Sequence, residues 1–246
     1  MALFDRLFDQ VLNDPGDPDN RGSLATEAGT LLNSVVVDDR GLAELDRNAP
    51  AGLAVTVINS TGAGGITALQ RRTLANCRLV AVETALRDPG DLAGNVARVA
   101  AAARELDAEV TVLVRIPDGF GWQDAIATAE AEGLVAVLST GPDQRPDELA
   151  RQLSAYVEAD LPFIADNLRS ADELVGLLAA VDVLIETGAV DEAAAVLTGD
   201  HDQQGGAIRD WTDNRAASVR RRLRTIRSDN LPVMITELAA YGLIRP

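Results

Sequence analysis

Apolar positions along this chain follow two alternating patterns. Nearly unbroken apolar runs occupy residues 34–38, 53–59, 79–83, 110–116, 134–139, 162–166 and 231–237. Short runs without period-two alternation predict strands covered on both faces, as in a parallel sheet. Between them the spacing changes to three and four. Leu92, Val96, Val99, Ala103 and Leu106 mark one helical stripe, and Leu149, Leu153 and Tyr156 a second. Leu174, Leu177, Leu178, Val181 and Leu184 form a third, and Val219, Leu223 and Ile226 a fourth. Pro146 stands where a first helical turn accepts it, and Ser170 with Glu173 has the spacing of a capping box.

Strand and helix alternate every ~20–30 residues, the length of one right-handed crossover unit. An eighth strand is expected near Gly206–Arg209, within the weakly patterned stretch 198–213. The series predicts an α/β fold, a (β/α)8 TIM-barrel-like domain of seven or eight parallel strands over residues 21–246. A doubly wound open sheet is the alternative. Ahead of this domain, residues 1–20 read as an amphipathic helix and a linker. Leu3, Phe4, Leu7, Phe8, Val11 and Leu12 share a helical stripe, and the turn-rich stretch from Asn13 to Asn20 follows. This helix is expected to cap the domain or to dock on a second copy of the chain.

Composition narrows the chemistry. The 246 residues carry 22 basic and 38 acidic side chains, for a net charge of −16, and 47% are hydrophobic. Every basic residue is Arg. Without Lys there is no Schiff-base aldolase, no pyridoxal phosphate linkage, no Walker phosphate-loop Lys and no Tyr-x-x-x-Lys dehydrogenase pair. His201 is the only histidine and Cys77 the only cysteine, which excludes an intrachain disulfide and a multi-thiolate metal site. The acidic balance argues against a nucleic-acid partner. Arg220, Arg221, Arg222, Arg224 and Arg227 cluster at helical spacing and read as a solvated helix face. No apolar run reaches the ~18–20 residues of a membrane span. The start, Met1-Ala2-Leu3-Phe4-Asp5, lacks the charged and apolar regions of a signal peptide, so a cytoplasmic protein is expected.

Ligand sites in such folds lie at the carboxyl ends of the strands. That rule nominates Asp38, Asp39, Asn59, Ser60, Glu83, Thr84, Arg115, Ser139, Thr140, Asp166, Asn167 and Glu237. Glu83, Arg115 and Asp166 are expected around one mouth, with Glu83 or Asp166 as general base and Arg115 orienting an anionic group. Three such oxygen ligands also suit a hard divalent ion. The plainer reading is that polar residues occupy strand ends in any case and that Arg115 neutralises the carboxylates. Gly62 and Gly64, in the turn Ser60–Gly65, could aim backbone N–H groups at an anion. Glu83 lies 19 residues beyond Gly64, a partial match to a dinucleotide-binding arrangement that lacks the third glycine. His201, between Asp200 and Asp202, reads as an exposed loop residue with a metal or proton role as the alternative. Cys77 reads as a buried, inert thiol.

Four segments carry a resemblance to an uncharacterised bacterial family of (β/α)8-barrel-like proteins. Val82-Glu83 is similar to a Val-Glu strand end of that family. The segment Gly133–Gly141 resembles its Gly-Leu-…-Arg-Thr-Gly strand, and Leu161–Ala165 its Val-Pro-Phe-Lys-Ala strand. The ending Tyr241-Gly242-Leu243-Ile244 resembles its Leu-Gly-Leu. The likeness spans roughly residues 50–245. Ile164 stands in place of the family's Lys, Ser139 in place of its strand-end Arg, and 167–170 contains no counterpart of its His-His pair. The Ser/Cys-rich last strand has become Val233–Thr236. Only Glu83 and Thr140-Gly141 carry over, which implies a changed or absent activity.

Three functions follow as expectations. The first is a protein that binds a small polar or anionic metabolite at the carboxyl-end mouth, in its enzymatic form a degenerate lyase, isomerase or hydrolase. The ligand contacts would come from Asn59, Gly62, Gly64, Arg115 and Thr140. The second is a non-catalytic, homo-oligomeric scaffold that uses the 2–12 helix. The third and weakest is an NAD(P)-dependent oxidoreductase. The sequence nominates no cofactor and no metal.

Overall fold

Eight parallel strands pair in chain order and close into a barrel. This computed structural model describes residues 2–12, 29–141 and 144–245. The strands are β1 (Phe8–Val11), β2 (Leu32–Asp38), β3 (Leu53–Asn59), β4 (Cys77–Ala85), β5 (Thr111–Arg115), β6 (Val135–Ser139), β7 (Phe163–Asp166) and β8 (Leu223–Ser228). Among the described residues, α1 (Leu42–Asn48), α2 (Ala63–Gln70), α3 (Leu92–Ala103), α4 (Trp122–Ala131) and α5 (Pro146–Glu158) each follow a strand. The link from β7 to β8 holds four helices: α6 (Ala171–Thr187), α7 (Val190–Leu197), α8 (His201–Arg209) and α9 (Asp213–Arg222). Helix α10 (Leu231–Ala240) follows β8. Closure depends on β1, whose Phe8 lies level with Leu32 of β2 on one side and Ile226 of β8 on the other.

The unbroken apolar runs arise because most strands bury both faces. Val57, Val82, Val114, Leu138 and Phe163 join the main core between barrel and helices. Ala81, Leu113, Val135, Val137 and Ile164 form a separate apolar cluster inside the barrel, on β4 to β7. The other half of the interior is polar. Asp9 of β1 accepts hydrogen bonds from Ser34 Oγ at 2.7 Å, Asn33 Nδ2 at 2.9 Å and Thr225 Oγ1 at 2.7 Å. The Ser34 and Thr56 hydroxyls lie 2.7 Å apart. All but Asn33 of this set are buried, so the network satisfies its own polar groups, as burial requires.

The helices start and stop where local chemistry dictates. Pro146 opens α5, where a missing N–H costs nothing. Ser170 Oγ accepts from the Glu173 amide at the start of α6, and Glu173 Oε2 accepts from the Arg169 amide. Gly188, at φ 67°, ends α6 in a left-handed conformation that suits glycine. Asp46 of α1 accepts from the amides of Ala75, Asn76 and Cys77 and so fixes the entry to β4. Burial raises the Asp46 carboxyl, but these backbone donors outweigh it and hold the group below its usual value.

Several expectations are corrected. Residues 2–12 are not an amphipathic helix. Ala2–Phe4 make a 3-10 turn, and Phe8–Val11 are the first barrel strand. The apolar stripe marks burial, not helicity: Leu3, Phe4, Leu7 and Phe8 are all in the main core. The interface expected of a 2–12 helix therefore has no such helix to rest on. A domain boundary at residue 20, with its linker 13–20, lies outside the described residues. The stretch 206–209 belongs to α8, and His201 is its first residue. The stripe Val219, Leu223, Ile226 is split, because α9 ends at Arg222 and β8 begins at Leu223. Residues 231–237 are helical; Pro232 sits in the first turn of α10, and Leu231, Met234 and Leu238 form its buried face.

If β1 is an integral barrel strand, truncating it should cost as much as truncating any core strand. Phe8→Ala is expected to lower the unfolding free energy by about 3–5 kcal/mol in urea denaturation. Asp5→Ala, in the exposed turn before it, should stay within about 0.5 kcal/mol of wild type.

Candidate functional site

Strand register brings three of the nominated residues to one place. Glu83 of β4 lies level with Leu113, and Arg115 two residues further along β5 lies level with Ala85. Ser139 of β6 pairs with Asp166 of β7. From this position Arg115 Nη2 donates to Glu83 Oε1 at 2.8 Å and to Asp166 Oδ2 at 2.5 Å. Its Nη1 donates to Ser139 Oγ at 2.5 Å and its Nε to Glu83 Oε1 at 3.1 Å. The ring of Glu83, Arg115 and Asp166 expected from strand ends is therefore present and in direct contact.

A fourth member comes from β8. Arg227 is fully buried and donates from Nη1 to Glu83 Oε2. Glu83, itself buried, is thus held between two guanidiniums. Burial raises its carboxyl pKa, but the charges of Arg227 and Arg115, with their hydrogen bonds, outweigh burial and hold it below the usual value. Burial likewise lowers Arg115, and Glu83 and Asp166 more than restore it. The four groups sum to zero charge. Arg227 nevertheless keeps two buried donors, Nε and Nη2, that have no acceptor among the described residues.

The remaining nominated residues serve the fold where they stand. Asn59 is buried; its Nδ2 donates to Gly62 O at 2.7 Å and its Oδ1 accepts from the Thr61 amide and hydroxyl. Its amide fills the space inside the glycine turn, since a β-carbon at Gly65 would overlap Asn59 Oδ1 and Thr61 Oγ1. Gly62 sits at φ 73° ahead of α2, while a β-carbon at Gly64 would meet nothing. Glu83 faces Arg227 and Arg115, not this turn, so the turn lacks the acid that a dinucleotide ribose would need. Thr140 Oγ1 and its amide both donate to Asp166 O, at 2.9 and 3.0 Å. Asp39 accepts from the amide and hydroxyl of Ser60, and Asp38 from the Gly41 amide. Glu237 is on α10, not at a strand end, and accepts from the Ala171 amide.

His201 Nδ1 is 3.9 Å from Asp172 Oδ2, across α8 and α6. Cys77 is buried at the start of β4; burial and the nearby Asp46 charge push its thiol up to about 11, as an inert thiol requires. Among the described residues no group of three or more His, Cys, Asp or Glu side chains is placed to hold a metal ion. None of the helices described is long and apolar enough to cross a membrane.

No family model and no curated protein matches the chain. Among solved structures, dihydropteroate synthase from Xanthomonas albilineans, with 4-aminobenzoic acid, is similar over 98% of this chain and 94% of its own, at 12% identity and a TM-score of 0.36. A likeness at that level carries no argument about chemistry. The class of the protein, a (β/α)8 barrel, rests on the closure of its own sheet.

The environment of Glu83 sets a pH dependence. A carboxyl held below its unfolded value of ~4.3 contributes stability above that pH and loses it as pH falls through the folded value. Wild-type melting temperature is therefore expected to drop on acidification below about pH 4. Glu83→Gln removes the anion between Arg115 and Arg227 and should cost about 3–5 kcal/mol at pH 7. It should also show a shallower decline from pH 7 to 3, because the titrating group is gone. Thermal melts of both proteins across that range measure the difference.

Proposed function

We propose that the barrel binds a small polar or anionic molecule at its carboxyl-end mouth, through acceptor oxygens that reach Arg227 and Arg115. The observation that carries this reading is the pair of donors on fully buried Arg227 that have no acceptor among the described residues. A guanidinium has five N–H donors and no acceptor capacity, so only an acceptor can complete it. Leaving buried donors unpaired costs about 1–3 kcal/mol each, which a ligand oxygen would recover. Arg115, about one third exposed, shares the Glu83 carboxylate with this buried group.

The same geometry favours binding over general-base catalysis by Glu83. A carboxylate stabilised by two cations has little tendency to take a proton near neutral pH. Glu83 is better suited to anchor the two guanidiniums. Asp166, joined to Arg115 at the mouth, is the carboxylate with access to a bound molecule. Phe120 adds an apolar element: it is 93% exposed between Gly119 and Gly121, on the loop that leaves β5.

The test is calorimetric titration with inorganic phosphate and with small dicarboxylates such as malonate. At least one is expected to bind. Arg115→Ala should weaken that binding about tenfold or more, the loss of a charge-assisted contact. If none binds, or if Arg115→Ala and Glu83→Gln keep the fold and the wild-type affinity, the reading fails.

A further inference from the structure

One large cavity is lined by residues from the end of the barrel opposite the carboxyl-end mouth. It enters the barrel from the amino ends of the strands, with a volume near 950 Å³. Barrels of this class normally fill that region with layers of bulky branched side chains. Here the inward positions that line the cavity on β1, β3, β4 and β8 are Asp9, Thr56, Ala81 and Thr225, all polar or small. The space left over is well within the range of small-molecule sites.

Its walls differ in character. Ala81, Leu113, Val135 and Ile164 give an apolar surface on the β4–β7 side. The rim on the β8–β1 side carries Arg6, Arg220 and Arg224, and Arg78 stands on β4. Among the described residues none of these four forms an ion pair, whereas Arg104 on the same rim is paired with Glu132 at 2.7 Å. Arginines thus stand along this opening together with the acids Asp9, Asp107, Glu109 and Glu132. Arg220 is committed to the fold through bonds to the carbonyls of Leu223 and Arg224. Burial and the neighbouring Arg224 charge lower its pKa and outweigh Asp5 and Asp9, which raise it. Arg6 is held at φ 49°, a left-handed conformation that costs a non-glycine residue energy.

We propose that this amino-end cavity is a second binding site, for an amphipathic anion: a molecule with a carboxylate, phosphate or sulfonate at one end and an apolar body. The anionic group would meet Arg6 and Arg224 at the rim, and the apolar body would lie on Leu113, Val135 and Ile164. Other charges fix this orientation. Asp9, deep in the cavity and already holding three donors, repels an anion from the floor. Asp107 and Glu109 on the rim near β5 turn it toward β8 and β1. The site uses none of the residues at the carboxyl-end mouth, so it stands or falls separately.

Decanoate serves as the probe, titrated calorimetrically into the full chain. Binding is expected, and it should weaken as salt is raised, since the rim is exposed. The double variant Arg6→Asn, Arg224→Ala should weaken it about tenfold or more; Asn keeps the left-handed backbone accessible. Ala81→Leu, which fills the floor and leaves every charge in place, should weaken it as well. Arg115→Ala should bind decanoate like wild type. The proposal is overturned if decanoate does not bind, if its affinity survives the double variant, or if it is lost in Arg115→Ala, which would place the anion at the opposite mouth. Circular dichroism and thermal melts establish that each variant is folded. Should Ala81→Leu not fold, the double variant, whose changes lie at the rim, decides alone.

Discussion

The interaction on which this interior depends is the carboxylate of Glu83 held between two guanidiniums. Glu83 and Arg227 are buried, and each ion taken from solvent costs several kcal/mol. The arrangement persists because the charges cancel: Arg227 and Arg115 against Glu83 and Asp166. Remove one member and its neighbours become buried, uncompensated ions. That coupling ties β4, β5, β7 and β8 together through side chains as well as through the sheet. Arg115 and Asp166 are the partly exposed members of the set, Glu83 and Arg227 the buried ones.

A polar interior constrains the rest of the fold. With Asp9, Ser34, Thr56 and Thr225 on one half of the barrel wall, the apolar contacts that stabilise the sheet must come largely from outside. The helices supply them. Helix α6 shows the consequence: ten of its seventeen residues are buried, from Ala171 to Leu184, against barrel and neighbouring helices. The four-helix link between β7 and β8 is held to itself by Arg215 of α9 and Asp182 of α6.

The strands β2 to β7 were legible in the sequence because each carries a short run of buried apolar residues, with polar residues such as Ser34, Thr56 and Glu83 beside or within it. Those at the seam were not. The residues of β1 share a stripe that also satisfies a helical period, and four residues are too few to separate the two patterns. In β8 the inward positions are Thr225 and Arg227, so no apolar run exists to find. The arginines around it suggested a solvated helix, and that concealed Arg227, a central member of the site. The available signal was the short alternation Thr225-Ile226-Arg227, with Ile226 in the core and Thr225 and Arg227 inside the barrel. Residues 231–237 erred the other way: Val233, Ile235 and Thr236 favour strands, but Pro232 suits a first helical turn and Leu231, Met234 and Leu238 keep helical spacing. Glu83, Arg115 and Asp166 were found by the strand-end rule, which needs only the strand positions to be right.

The seam between β1 and β8 also has a bearing on how the polypeptide is made. Asp9 and Thr225 bond across a separation of 216 residues. A nascent chain emerging from the ribosome can assemble β1 to β7 early, yet it cannot complete the ring until the last strand is released. During that interval β1 and β7 are open edges, with unpaired backbone groups of the kind that recruit other chains. Any delay in sealing that gap lengthens the exposure of both edges to other chains.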